Sequence, residues 1–246
     1  MQKMGKIAEN YQHVLENIHQ AAVSSGRDPA DINLIVVTKG HSLEAVETVI
    51  DAGAECLGEN YVEEAVDKIL AISGKVRVEW HMIGHVQSRK ASPVCEHFAW
   101  VHSLDSLKLA QRLDRFCGEF GRKLPILMEC NVSGEQSKYG WPTWNEADWP
   151  GLLPEFEQVV SLSNLDVRGL MTMAPYLDDP QAARPYFKKL HKLQEYLAVH
   201  FPQAKWDQLS MGMSADYIVA IQEGATLVRI GTAIMGPRSY GNRQGN

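Results

Sequence analysis

Apolar residues recur along the chain in two alternating patterns. Short, nearly continuous apolar runs are typical of strands covered on both faces, whereas apolar residues spaced by three and four positions are typical of amphipathic helices. The first pattern predicts strands at residues 34–38, 54–58, 76–83, 99–102, 125–132, 166–171, 208–211 and 225–230. The second predicts helices at residues 3–25, 43–52, 61–70, 86–97 with an interruption near Pro93, 107–120, 147–162, 180–200 and 215–223.

Strands that alternate with helices, without a long linker or a repeat of fixed period, predict an α/β fold. We expect a (β/α)8 TIM barrel with an extra helix before the first strand, and a length of 246 residues suits one such domain. The barrel is expected to occupy residues 1–236, followed by a polar tail at residues 237–246. An open, doubly wound sheet is the alternative, although the first turn after a strand lacks the GxGxxG motif of its dinucleotide-binding version.

Composition and charge narrow the class of protein. The formal net charge of −6 and the pI near 5.8 argue against a nucleic-acid partner bound through bulk electrostatics. No apolar run approaches the length of about 18 residues that a membrane span needs, and the first residues lack an apolar signal segment. The 4 cysteines are scattered without a CxxC pair, as is typical of a reducing compartment. We therefore expect a cytoplasmic protein with no membrane partner.

A lysine stands at the end of the first predicted strand. Lys39 is followed by Gly40 and by a helix that begins near Ser42. A cation at that place either extends to water or loses hydration, and loss of hydration favours the neutral, nucleophilic amine. Lys39 is thus a candidate for covalent chemistry with an aldehyde, while the simpler interpretation is a lysine that ends a strand and reaches solvent.

The loops after the seventh and eighth predicted strands have the character of a phosphate site. In barrels of this type these two loops commonly hold phosphate, because glycines allow close backbone approach and small hydroxyls donate hydrogen bonds. The residues of this kind are Ser210, Gly212, Gly231 and Thr232. They could equally serve as turn and helix-cap residues. A ligand with a phosphate on one side and an aldehyde near Lys39 on the other would fit, and pyridoxal 5′-phosphate (PLP) is such a ligand.

Several longer motifs add a resemblance to a known family. They are VTK at 37–39, GENYVEE at 58–64, WHMIGHVQSRK at 80–90, SGEQSKYG at 133–140, GLM at 169–171, LSMGMS at 209–214 and VRIGTA at 228–233. In this order, from residue 39 to residue 236, they resemble the pyridoxal phosphate homeostasis protein family, which is similar to the amino-terminal barrel of alanine racemase. The chain departs from the family at Arg89, where many relatives carry asparagine, and at residues 141–149, which are rich in tryptophan and proline.

The resemblance implies a role for particular residues. It implies PLP held as an internal aldimine on Lys39, with Arg229 facing the pyridine nitrogen and Asn60 lining the cofactor pocket. It further implies that Ser210, Gly231 and Thr232 hold the phosphate.

These roles favour a binding protein over an enzyme. An arginine at the pyridine nitrogen disfavours protonation of that nitrogen and weakens the ring as an electron sink. Alanine racemase uses a second base, a tyrosine on an additional domain, and we expect no such domain within the 246 residues. We therefore predict a PLP-binding protein of intracellular PLP homeostasis that stores the cofactor or delivers it to PLP-requiring apoenzymes, with no catalytic residue and no robust catalysis. The alternative is a PLP-dependent amino-acid racemase.

Other chemistries receive little support from the sequence. His81 and His85 are four residues apart, but Gly84 interrupts the helix that such a spacing would need for zinc, and no HExxH motif is present. No metal ligand or metal partner is therefore expected. The chain also lacks a GxSxG elbow and a Walker motif, which argues against the corresponding hydrolases and NTPases.

Overall fold

The chain folds into a closed parallel barrel. A computed structural model describes residues 2–74 and 77–237, without the side chains of residues 2–4. Over these residues the strands are β1 (Asn33–Val37), β2 (Cys56–Glu59), β3 (Glu79–Met82), β4 (Trp100–Leu104), β5 (Leu124–Asn131), β6 (Trp141–Pro142), β7 (Leu165–Met171), β8 (Gln208–Ser210) and β9 (Leu227–Ile230). Around the ring the order is β1-β2-β3-β4-β5-β7-β8-β9, and β9 pairs with β1 to close it. The predicted (β/α)8 barrel is confirmed.

Helices follow the barrel strands and surround them. They are α1 (Gln2–Ser24), α2 (Leu43–Asp51), α3 (Val62–Ile72), α4 (Ala91–His97), α5 (Leu107–Glu119), α6 (Trp149–Val160), α7 (Arg184–His200), α8 (Tyr217–Gln222) and α9 (Thr232–Met235). The extra helix α1 packs against α2, α8 and α9. Among the helices of the described residues, none is both long and apolar enough to cross a bilayer.

The apolar runs of the strands are explained by two separate cores. A small buried cluster joins side chains of β1, β9, β5 and β7, which form two pairs of strands well separated around the ring, so the cluster fills the barrel interior: Ile35, Leu227, Leu127 and Met171. The residues that alternate with them belong to the large core between strands and helices, for example Val36, Val228 and Met128. Each strand is therefore covered on both faces, as its continuous apolar sequence requires.

Two predicted boundaries around β3 and α4 are wrong. The third strand begins at Glu79 rather than at residue 76, and residues 75–76 lie outside the described part of the chain. Helix α4 begins at Ala91, after a short 3-10 turn, rather than at residue 86. Pro93 does not interrupt this helix, because it lies in the first turn, where the missing amide has no intrahelical partner to lose.

Two short elements were not predicted at all. The two-residue strand β6 pairs beside β5, and α9 is a single turn after β9. Both are too short to produce a hydrophobic period. The predicted polar tail at 237–246 lies outside the described residues except for Pro237.

The tryptophan-rich segment at 141–149 is part of the outer core. Trp141 and Trp149 are 3% and 4% exposed, and the indole Nε1 of Trp149 donates to the carbonyl of Thr143 at 3.1 Å. Trp141 packs edge-to-face on Phe156 of α6, with ring centroids 5.3 Å apart. Two of the tryptophans therefore anchor α6 against the barrel.

Candidate functional site

The predicted site residues lie at the carboxyl ends of the strands. Lys39 follows β1 by two residues, Asn60 directly follows β2, and Gly231 directly follows β9. Because β1 and β9 pair in parallel, with Val36 opposite Ile230, their carboxyl ends are neighbours. The structure therefore brings the half-buried Lys39 close to the loop that begins at Gly231, as the barrel topology predicts.

A buried ion pair holds the backbone on the amino-terminal side of Lys39. Lys68 of α3 donates through Nζ to the carbonyl of Thr38 at 2.8 Å and to Oε1 of Glu59 at 2.7 Å. The hydroxyl of Thr38 donates to the same Glu59 oxygen at 2.7 Å. Burial raises the pKa of Glu59, although Lys68 opposes this shift. The contacts tie the end of β1 to β2 and α3.

The same lysine also reaches the carboxyl-terminal side of Lys39. Nζ of Lys68 donates to Oε1 of Glu64 at 2.7 Å, and this oxygen accepts from the backbone amide of Gly40 at 2.6 Å. The residues on both sides of Lys39 are thus attached to one charged cluster. Such a cluster limits the movement of the backbone at Lys39. Neither Lys68 nor Glu59 was singled out from the sequence, where they belong to an ordinary amphipathic helix and a short strand.

Arg229 lies inside the barrel and is fixed by several hydrogen bonds. Its side chain donates through Nη1 to the hydroxyl of Ser210 and through Nη2 to the carbonyl of Thr172 at 2.8 Å. Its backbone amide donates to the carbonyl of Gly212 at 3.0 Å. The residue as a whole is only 4% exposed, so the guanidinium is held rigidly in a low-dielectric environment.

Burial also changes the charge balance around Arg229. It lowers the pKa of Arg229 to about 10, and the carboxyl groups of Glu129 and Asp216 oppose that shift. Burial raises the pKa of Glu129 to about 7, with a further contribution from Asp105 and an opposing one from Arg229. The guanidinium therefore stays protonated at neutral pH. Glu129 could have been suspected from its sequence, because it is an acid within an otherwise apolar strand.

The hydroxyl of Ser210 also takes part in a chain of histidines. His102 lies 2.9 Å from this hydroxyl through Nδ1 and 2.9 Å from Nδ1 of His81 through Nε2. Burial lowers the pKa of His102 well below its usual value and that of His81 to about 3, so both rings are neutral. Ser210 is fully buried and engaged with His102 and Arg229. Its role in holding a phosphate stays a prediction.

The loops after β8 and β9 approach each other at the carboxyl end. The hydroxyl of Ser214 accepts from the backbone amide of Ala233 at 3.3 Å and joins the two loops. Gly212 has a φ of +91°, and a Cβ there would lie 2.6 Å from the Cβ of Ala220, so only glycine fits. Gly231 is half-buried and Thr232 is exposed at the start of α9.

Asn60 presents a buried acceptor at the same end of the barrel. Its Oδ1 atom is buried and has no hydrogen-bond partner among residues 2–74 and 77–237. The loop after β3 passes very close, because a Cβ on Gly84 would lie 2.5 Å from the carbonyl oxygen of Asn60. A glycine at position 84 is therefore needed to bring the third strand up to Asn60.

A second histidine site lies at the mouth of the barrel and was not predicted. Nδ1 of His85 lies 2.8 Å from Oδ2 of Asp105, and the ring stacks on Tyr139 with centroids 4.0 Å apart. His85 and His81 therefore have different partners, so their spacing of four residues does not describe one site. A polar residue shortly after the third strand and another directly after the fourth were the signal that could have indicated this pair.

Comparisons with known proteins agree with this architecture. Residues 8–239 match the family model described as alanine racemase, N-terminal domain. The pyridoxal phosphate homeostasis protein of Vibrio alginolyticus is 39% identical over 241 residues, which cover 96% of this chain and 100% of that protein. The protein of the same name from Pseudomonas aeruginosa is 42% identical over 238 residues, with coverage of 97% and 98%.

Solved structures of other proteins have a similar fold. PipY of Synechococcus elongatus PCC7942, determined with PLP bound, is 35% identical with a TM-score of 0.76 and covers 89% of this chain and 100% of its own. Alanine racemase of Clostridium difficile 630 is 16% identical with a TM-score of 0.67, covering 97% of this chain and 58% of its own, which is a likeness of fold.

The barrel and the match over residues 8–239 place the chain in the class of alanine racemase amino-terminal domains. Within that class, the chain belongs to the pyridoxal phosphate homeostasis protein family. The resemblance that the sequence motifs indicated is thereby confirmed.

Proposed function

We propose that the chain binds PLP at the carboxyl end of the barrel and takes part in PLP homeostasis. The amine of Lys39 would form the covalent bond to the cofactor. The observation that carries this proposal is the position of Lys39, which is half-buried after β1. Its neighbours Thr38 and Gly40 are held by hydrogen bonds to Lys68 and Glu64. The names of its relatives and the PLP-bound structure of PipY support it.

The residues of the carboxyl end fit such a ligand. The buried Oδ1 of Asn60 has no partner among the described residues, so it is suited to a polar group of the ligand. Gly231 and the exposed Thr232 lie on the loop beside Lys39 and are suited to the phosphate. Ser210 is fully buried in contact with Arg229 and His102, so we assign the main phosphate contacts to the more accessible Gly231 and Thr232.

Arg229 would set the electronic character of the site. A guanidinium only donates hydrogen bonds, and the contacts with Ser210 and Thr172 hold it in one orientation. If the guanidinium faces the pyridine nitrogen of bound PLP, a protonated donor there would keep that nitrogen unprotonated. PLP, when bound, supplies an aldehyde that reacts with amines and a ring that accepts electrons, most strongly when its nitrogen is protonated. Arg229 therefore favours storage and delivery over robust catalysis.

The test is a visible absorption spectrum of the purified, PLP-loaded protein. We expect a band that borohydride abolishes, with the reduced cofactor attached to the peptide that contains Lys39. Lys39→Ala should lose the band, and Lys108→Ala, a change of an exposed lysine on α5, should keep it. The proposal would be abandoned if Lys39→Ala bound PLP with unchanged spectrum and affinity.

Delivery needs a separate experiment. The loaded protein is mixed with a PLP-requiring apoenzyme, and recovery of the apoenzyme's activity is compared with that produced by the same concentration of free PLP. Recovery while a scavenger removes free PLP indicates direct transfer. Loss of all recovery in the presence of the scavenger means that the chain only releases PLP into solution.

An amino-acid racemase is the second candidate, and the paired His85 and Asp105 favour it. A histidine oriented by a carboxylate at the mouth of the barrel is a suitable proton donor and acceptor. The measurement is exchange of the Cα proton of alanine, followed by NMR. Exchange with the wild type that His85→Asn abolishes would support the enzyme, and absence of exchange supports the binding protein.

A further inference from the structure

Three side chains of metal-ligand type converge at the opposite, amino-terminal end of the barrel. Cys56 is the first residue of β2, Glu79 is the first residue of β3, and His81 lies two residues further along β3. Cys56 is paired directly opposite Glu79 in the sheet, and residues 79 and 81 point to the same face because side chains alternate along a strand. One sulfur, one carboxylate oxygen and one imidazole nitrogen all lie within 4.8 Å of one another.

The imidazole of His81 directs an unpaired atom into this cluster. His81 is 2% exposed, and its Nε2 atom has no hydrogen-bond partner among residues 2–74 and 77–237. Oε2 of Glu79 is 3.8 Å away, too far for a hydrogen bond. A buried polar group without a hydrogen-bond partner destabilises the folded protein, so a ligand bound to Nε2 would be stabilising.

We propose that Cys56, Glu79 and His81 bind a divalent cation of the zinc type at the amino-terminal end of the barrel. Thiolate, imidazole and carboxylate are the ligands that zinc prefers, and a water molecule would complete a tetrahedron. A thiolate and a carboxylate together also balance the two positive charges of the ion.

To bind the ion, the three ligand groups have to move only slightly closer together. Zinc lies about 2.3 Å from sulfur and about 2.0–2.1 Å from nitrogen or oxygen, so neighbouring ligand atoms in a tetrahedron are about 3.3–3.6 Å apart. The three groups would have to approach one another by roughly 1 Å. Glu79 can provide this movement, because its side chain is 53% exposed and flexible, and the same exposure gives the ion a route from solvent.

The surroundings orient His81 as a metal ligand requires. Its Nδ1 atom lies 2.9 Å from Nε2 of His102, so Nδ1 can donate a hydrogen bond while Nε2 is left for the ion. Metal-bound histidines commonly donate their second nitrogen in this way. The indole of Trp100 stacks on the His81 ring, with centroids 5.8 Å apart and an interplanar angle of 4°, which fixes the plane of the imidazole.

Local charges favour a cation at this place. The carboxylates of Glu79 and Glu55 act electrostatically on Cys56, and their negative charges attract a positive ion. Arg168, which lies over the Trp100 ring, donates through Nε to Oδ1 of Asp207 at 2.9 Å, and among the described residues no ion pair joins it to Glu79.

The proposal departs from the expectation, drawn from the sequence, that the chain holds no metal. That expectation considered His81 with His85, which are close in sequence but have separate partners. The proposed metal site does not rest on PLP binding, although hydrogen bonds through His102 and Ser210 connect His81 to Arg229.

The test is a titration of the full-length protein, stripped with a chelator, with zinc by calorimetry and with cobalt by absorption spectroscopy. We expect one ion per chain and a thiolate-to-cobalt charge-transfer band. Cys56→Ser and Glu79→Gln should each weaken zinc binding at least about tenfold. Glu55→Gln is the matched control, because it removes the same charge one residue from Cys56 without removing a ligand, and should keep most of the affinity.

Thermal unfolding provides a second measurement. Zinc should raise the melting temperature of the wild type and of Glu55→Gln, and Glu79→Gln should lose most of this increase. Because Glu79 is half-exposed, its variant is expected to fold even if Cys56→Ser does not. Absence of one-to-one binding in the wild type, or unchanged affinity in Glu79→Gln together with a cobalt spectrum lacking the thiolate band, would overturn the proposal.

Discussion

We expect Glu129 to make the stability of the barrel depend on pH, and a single substitution should remove this dependence. The residue is 3% exposed and lies two positions after Leu127 on the interior face of β5. Burial raises the pKa of its carboxyl from 4.5 to about 7, and Asp105 adds to the shift while Arg229 opposes it. The Glu129→Gln substitution keeps the shape of the side chain and abolishes its titration.

The direction of the pH dependence follows from the difference in proton binding between the folded and the unfolded protein. Between pH 4.5 and pH 7 the folded protein keeps the proton on Glu129 and the unfolded chain releases it, so the free energy of unfolding falls as the pH rises. The contribution is fully present below the unfolded pKa and is lost as the pH rises through the folded pKa. With these two pKa values, the wild type loses roughly 2–3 kcal/mol of stability between pH 5 and pH 8 through this group, and Glu129→Gln loses none of it.

The assay is urea unfolding of both proteins at several pH values from 5 to 8. The difference in the free energy of unfolding, variant minus wild type, cancels the other titrating groups and should increase by roughly 2–3 kcal/mol across this range. Glu157→Gln, on the exposed face of α6, is the matched control and should show a nearly constant difference. A constant difference for Glu129→Gln as well would refute the argument.

Two further substitutions test the packing of the barrel and the cluster beside Lys39. In Gly169→Ala the new Cβ would lie 1.8 Å from the carbonyl oxygen of Gln208, at a φ of +152°, so we expect little soluble protein, and a normal yield would contradict this expectation. The control Gly151→Ala on α6 brings the new Cβ within 4 Å of no other atom, so it should stabilise the protein by about 0.5–1 kcal/mol in urea unfolding. Lys68→Met should cost about 3–5 kcal/mol because it leaves the Glu59 carboxylate buried and unpaired. Adding Glu59→Gln should recover part of that loss in the same assay, and a loss that stays unchanged would exclude the ion pair as its cause.

The sequence alone determined the architecture and the position of Lys39. Continuous apolar runs that alternate with helical periods need a sheet covered on both faces, and the observed interior and exterior clusters meet that need. Because the carboxyl ends of parallel strands meet at one end of a barrel, the places of Lys39, Asn60 and Gly231 could be derived from chain order. Errors arose where local signals were ambiguous, as with Pro93, which is compatible with both a break and a first helical turn.

Only the tertiary structure decided which polar side chains meet. His102 and Ser210 are 108 residues apart in sequence, and no periodicity relates them. The cluster around Lys68 and the group formed by Cys56, Glu79 and His81 depend on the register between neighbouring strands and on the docking of α3. Register is set by closure of the whole barrel, so a sequence pattern, which records only the face that each residue occupies, could not reveal these contacts.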